Sequence, residues 1–93
     1  MRNGREVILL VEGDPETRDT EKAFLEKNHY EVIAVADGKA ALDYLKDRPS
    51  GTDLVITALD LPVINGIELL KLLKLSQRMR DVPVLLVIPL ERE

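Results

Sequence analysis

Asp53-Leu54-Val55-Ile56-Thr57-Ala58-Leu59-Asp60-Leu61-Pro62-Val63-Ile64-Asn65-Gly66 carries three structural signals in succession. Leu54-Val55-Ile56 is a short apolar run rich in β-branched residues, the pattern of a strand buried on both faces. Pro62 breaks the loop that follows. Asn65-Gly66 then opens a helix in which Ile67, Leu70 and Leu73 repeat along an inner stripe, widened by Leu69, Leu72 and Leu75. Ser76 to Asp81 is polar and closes it.

Outward from this stretch the same alternation recurs. Val7-Ile8-Leu9-Leu10-Val11, Val32-Ile33-Ala34-Val35 and Val84-Leu85-Leu86-Val87-Ile88 are further strand-like runs. Asp14-Pro15 pairs an N-cap acid with a proline at the first helical position, opening a helix that runs to about Asn28. Its apolar stripe is modest: Ala23 and Phe24, flanked by Thr20 and Lys27. Asp37-Gly38 opens another helix with Ala40, Ala41, Tyr44 and Leu45 inward, and Asp47 to Gly51, with Pro49, ends it. The order β-α-β-α-β-α-β predicts an α/β fold with a parallel sheet and right-handed crossovers. In such sheets functional residues gather at the carboxyl ends of the strands. Here these are Glu12-Gly13-Asp14, Thr57 to Asn65 and Ile88-Pro89.

Composition narrows the chemistry. The 93 residues contain no Cys and one His, His29, which excludes disulfides, thiolate zinc sites and a Ser/His triad with a spare histidine. A net charge of −4 argues against a nucleic-acid surface. No apolar run approaches the ~20 residues that span a bilayer, and no secretory signal follows Met1, so a cytoplasmic location and no membrane partner are expected. No linker or repeat divides residues 1–93, which read as a single domain. Glycine-rich nucleotide fingerprints are absent.

The stretch Val7 to Asp14, the stretch Asp53 to Gly66 and Val82-Pro83-Val84-Leu85-Leu86-Val87-Ile88 together resemble the receiver domain of two-component response regulators. The resemblance covers essentially the whole chain in order and spacing. It implies a flavodoxin-like, doubly wound parallel sheet of order 2-1-3-4, with the family's fifth strand and last helices absent from these residues. It also implies a signalling domain, not an enzyme, in which a histidine kinase phosphorylates an Asp four residues before the loop proline. Four residues before Pro62 is Ala58. The family's adjacent Mg²⁺-binding acids match Glu12-Gly13, so one carboxylate is missing. Ile88 stands where the family has a switch hydroxyl, and the family's Lys falls after a fifth strand not present here.

Phosphoryl transfer is mostly positioning and charge neutralisation around a metal, and a hard cation wants carboxylate oxygens. Four departures at one site therefore predict a degenerate, phosphorylation-incompetent pseudo-receiver that acts by protein–protein interaction in a signalling pathway. No cofactor is expected. The alternative is a working phosphoacceptor with atypical Mg²⁺ ligation, using Asp60. Glu12, Asp14 and Asp60 are the candidate metal ligands, for weak binding; against this, Asp14 suits a helix cap, Asp60 a solvated loop acid and Glu12 a strand-tip remnant. A small-ligand domain on the same sheet ranks last, since Phe24, Tyr30 and Tyr44 form no stacking pair near the strand ends.

Thr57 lacks a neighbouring base and is expected to be structural. His29, at a helix end, is expected to cap or face solvent. Asp37-Gly38 and Asn65-Gly66 are turn and cap chemistry, and Lys71, Lys74, Arg78 and Arg80 a solvated helix end. Without a strand beyond it, Val84 to Ile88 is expected to form an exposed apolar edge. A missing C-terminal part accounts for this best. The alternative is a chain that pairs with itself or a partner, for instance by domain swapping, and would run as a dimer.

Overall fold

The computed structural model describes residues 4–47 and 51–89. Elements follow in the order β1 (Val7–Val11), α1 (Pro15–Lys27), β2 (Glu31–Val35), α2 (Gly38–Asp47), β3 (Leu54–Ala58), α3 (Gly66–Leu75) and β4 (Val84–Val87). The strands form one parallel sheet, as the pattern predicted, in the order β2-β1-β3-β4 that the resemblance implied. Leu9 lies between Ile33 and Val55, and Ile56 pairs with Leu85. Asp53 also anchors β1, its Oδ2 accepting the Val7 N–H at 2.7 Å.

Burial on both faces, expected of every run, holds only for β1, whose five residues are all buried. β1 is central and flanked by helices on both sides, whereas β3 and β4 alternate between more and less buried residues. β4 is an edge strand: Leu85 is 53 % exposed and Val87 42 %.

The helix starts obey their sequence signals. Asp14 caps α1, with Pro15 in its first turn. Asp37 Oδ1 accepts the Ala40 N–H at 2.8 Å at the start of α2. Asn65 and Glu68 form a reciprocal capping box on α3, with both hydrogen bonds at 2.9 Å. α1 ends in a Schellman motif: His29 N–H donates to the Glu26 carbonyl at 3.0 Å and Tyr30 N–H to that of Leu25 at 3.2 Å. His29 occupies the left-handed position, with φ 72°, where glycine is usual. The expected end of α2 falls partly on residues 48–50, outside the described residues.

Two helix faces differ from expectation. Thr20, Ala23, Phe24 and Lys27 of α1 are exposed, yet Thr20 and Phe24, together with Glu21 and Leu25, line a groove over Leu10 and Ile56 of the sheet. The apolar stripe thus finds part of the sheet-side face in Thr20 and Phe24, and misses Glu21 and Leu25. In α3 the seam is Gly66, Leu69 and Leu73, while Ile67, Leu72 and Leu75 are exposed. An almost unbroken apolar helix leaves its own phase undetermined. Gly66 sets that phase. A Cβ there would collide with the Ala58 carbonyl oxygen and come within 2.8 Å of Leu86 Cδ1.

The core lies on one side of the sheet. Leu9, Val11 and Val55 pack there against Ala41 and Leu45 of α2, Leu69 and Leu73 of α3, and Met79 and Val82 beyond α3. Met79 sits in the segment read as wholly polar, yet it is buried.

Candidate functional site

The carboxyl end of β1 runs into a tightly hydrogen-bonded turn. Glu12 N–H donates to the Val35 carbonyl at 3.0 Å, prolonging the β1–β2 ladder. The Glu12 carboxylate turns back on its own chain, Oε2 accepting the Asp14 N–H at 3.0 Å, and Arg18 donates to the Glu12 carbonyl at 3.0 Å. Asp14 Oδ2 accepts the Thr17 hydroxyl at 2.6 Å and the Thr17 N–H at 2.9 Å. The hydroxyl first and the amide second hold the Asp14 pKa below its ordinary value, with help from the Arg18 charge.

Beside this turn, Ala58 at the end of β3 lines a cleft of about 220 Å³ with Glu12, Thr17, Glu21, Asp60 and Val87. The one side chain that β3 contributes to this lining is a methyl. Thr57, fully buried, spends its hydroxyl on the Ala58 carbonyl at 3.0 Å. Asp60 is exposed and so is Ile88. Gly13 is not forced by space, since a Cβ would lie an ordinary 3.5 Å from the Ala36 carbonyl oxygen and 3.7 Å from Pro62 Cδ.

Glu21 is the residue that sequence reading missed. Burial, then the negative charge of Glu12, raises its pKa above the ordinary glutamate value. Its signal lies in spacing: Thr17 and Glu21 are four apart on the helix that starts immediately after the acidic strand end, and so share a face.

The expected metal ligands divide. Glu12 and Asp60 line the cleft, while the Asp14 carboxylate is engaged with Thr17. Among the described residues no three His, Asp or Glu side chains are grouped to hold a metal ion. Gly13 and Ala58 offer no side-chain oxygen, so the donor set does not fit a magnesium ion that demands an octahedral oxygen shell. Lys74 Nζ donates to the Arg80 carbonyl at 2.9 Å; Lys71, Arg78 and Arg80 are exposed at the same end of α3.

The loop after the cleft is strained. Ile64 N–H donates to the Pro62 carbonyl at 2.8 Å, closing a γ-turn around Val63, whose φ is 68°. A β-branched residue in that region is a genuine outlier. The loop is pinned from the other side by Gly38 at the start of α2, where a Cβ would meet the Ile64 carbonyl oxygen at 2.5 Å.

A parallel sheet of order 2-1-3-4 with a cleft at its strand ends defines a flavodoxin-like fold. The chain belongs to the response regulator receiver domain family, whose pattern matches residues 8–89. It is 42% identical over 80 residues to the two-component response regulator-like protein APRR9 of Arabidopsis thaliana, covering 86% of this chain and 17% of that protein. It is 33% identical over 86 residues to the two-component response regulator ORR5 of Oryza sativa subsp. japonica, covering 92% of this chain and 63% of that one. Among solved structures, the signal receiver domain of a signal transduction histidine kinase from Syntrophus aciditrophicus superposes with a TM-score of 0.85 at 30% identity, over 94% of this chain and 64% of that one. The chain thus spans less than two thirds of the length of each of these proteins.

Proposed function

We propose that this receiver domain does not accept a phosphoryl group and signals by binding another protein. The observation that carries the reading is the Ala58 methyl at the end of β3, facing a cleft with Glu12 and Asp60. Phosphorylation of a receiver forms a bond from a carboxylate oxygen to phosphorus as the donor's own bond to phosphorus breaks, P–N in a phosphohistidine and P–O in acetyl phosphate. A methyl carbon has no lone pair with which to form it. The remaining acids repel an incoming phosphoryl group, and the donor set that would neutralise it with a cation is incomplete. On this reading the domain has no enzymatic activity, needs no cofactor and works in the cytoplasm. Its partner is a protein of a signalling pathway, not a nucleic acid or a membrane; no helix among the described residues is long and apolar enough to cross one.

One observation favours a second reading. Asp60 and Glu12 share the cleft, so a displaced acceptor at Asp60 would have one acid beside it. Incubation with acetyl phosphate and Mg²⁺, followed by intact-mass measurement, separates the two. The expected result is an unchanged mass. A single phosphoryl adduct that disappears in Asp60→Ala would establish the second reading instead.

A further inference from the structure

α2 and α3 each return the chain to the start of the next parallel strand, so both end beside the amino ends of β3 and β4, across the sheet from the Ala58 cleft. There Leu45 and Lys46 of α2 and Ser76, Arg78 and Met79 after α3 line a crevice of about 230 Å³. Its floor is apolar, with Leu45 and Met79 both buried. Its rim is cationic, with Lys46 and Arg78 exposed. Both walls precede β4 in the chain and lie on the side of the sheet that α2 and α3 cover. The wall after α3 is held in place by hydrogen bonds: Arg80 N–H donates to the Ser76 carbonyl at 2.9 Å, Val82 N–H to that of Met79 at 3.1 Å, and Lys74 Nζ to that of Arg80 at 2.9 Å.

Positive charge is concentrated around this crevice. From Leu69 to Arg80 the sequence has four cations and no acid, although the whole chain carries −4. With Lys46 there are five cations, against Asp47 and Asp81 as the acids adjoining them in sequence. Among the described residues, Lys46, Lys71, Arg78 and Arg80 make no ion pair. Lys46 and Lys74 stand in the last turns of their helices, where the carbonyl ends favour a cation. Arg78 and Arg80 lie beyond both helices, so that role does not account for them. Gathered like charges repel one another, and an anion bound among them relieves the repulsion.

We propose that this crevice binds an acidic linear segment of a partner protein, in which carboxylates flank a leucine-sized apolar side chain. The apolar side chain enters over Leu45 and Met79, whose unbranched thioether adapts to the shape of an occupant. The carboxylates meet Lys46 and Arg78, and the arginine offers two parallel N–H groups to one of them. A nucleic acid fits less well. The crevice has no aromatic ring on which a base could stack, and the acidic remainder of the chain repels a long polyanion. The site lies apart from the Ala58 cleft, and it stands whether or not the domain accepts a phosphoryl group.

The test is an amide NMR titration of the 93-residue chain, in which the dispersion of the spectrum verifies the fold of the parent and of each variant. The probe is a capped Glu-Glu-Leu-Glu-Glu peptide, with Glu-Glu-Ser-Glu-Glu as its control. Saturable shifts are expected at Lys46, Ser76 and Arg78 and not at Ala58, with the leucine peptide binding about fivefold more tightly than the serine one. Lys46→Gln with Arg78→Gln should weaken the leucine peptide about fivefold. Lys22→Gln with Lys27→Gln removes the same charge from α1 and should leave its affinity unchanged. No saturable shift at millimolar peptide would overturn the proposal, as would shifts centred on the Ala58 cleft. Equal binding of the two peptides, or equal weakening by the two double variants, would reduce the site to unspecific charge and overturn it too. Tighter binding of an oligothymidylate of the same charge would assign the cations to nucleic acid instead. None of these outcomes alters the acetyl phosphate result, so the two readings fail separately.

Discussion

Leu9 and Leu10 are neighbours on β1 and both are buried, yet they look onto different halves of the molecule. Leu9 faces α2 and α3, within a cluster where Leu45, Leu69 and Leu73 have no exposed surface. Leu10 faces α1, across a groove of about 310 Å³ that it lines with Phe24, Leu25 and Ile56. Phe24 at the mouth of that groove is 66 % exposed. Two helices cover one side of the sheet, and one largely polar helix crosses the other. Stability therefore resides on the α2–α3 side, and the α1 side presents apolar surface outward.

The contrast is most easily broken by truncation. Leu69→Ala should cost about 3 kcal/mol in urea unfolding, because a fully buried leucine leaves a cavity between α3 and the sheet. Phe24→Ala, though it removes a larger side chain, should cost less than about 0.5 kcal/mol. Equal losses at the two positions would abolish the distinction.

The strained loop belongs to the α2–α3 side. Val63→Asn should stabilise the fold by roughly 1 kcal/mol, since asparagine tolerates a positive φ and the valine side chain is exposed. Its α1-side counterpart is smaller: His29→Gly should add roughly 0.5 kcal/mol at the end of α1, measurable as a small rise in Tm.

The smallest effects are electrostatic, and they have opposite signs on α1. The lowered pKa of Asp14 means that its cap stabilises the fold above the ordinary value of 3.8, and the contribution is lost as pH falls through the lower folded-state pKa. Asp14→Ala should therefore lower Tm at neutral pH and converge with the parent chain in acid. The raised pKa of Glu21 means that its ionised form opposes folding above the ordinary value of 4.5. Glu21→Gln should raise Tm slightly at pH 7, with the gain vanishing as pH falls below that value. A pH-independent gain would remove the role given to Glu12 and to burial.

Much of this fold was legible in the chain. β1 emerged with its bounds intact because five apolar residues between polar neighbours leave little choice, and Asp14, Asp37 and Asn65 marked helix starts that hydrogen bonding bears out. The orientation of α3 was not legible, because leucines lie all around it and a glycine contact sets its phase. That of α1 was legible in part: Thr20 and Phe24 of its modest stripe line the groove over the sheet, but Glu21 and Leu25 do so as well. At the site, the position of Ala58 followed from its distance to Pro62, a relation within one segment. Glu21 reaches the same cleft from a different element, and only the packing of α1 over β1 and β2 brings it there.

Gly66 gives that cleft a mechanical character. The Ala58 carbonyl on one side and Leu86 on another leave no room for a methyl on its Cα. Contacts so close transmit displacement without slack. Any side chain at this position would therefore push the first turn of α3 away from both the end of β3 and β4.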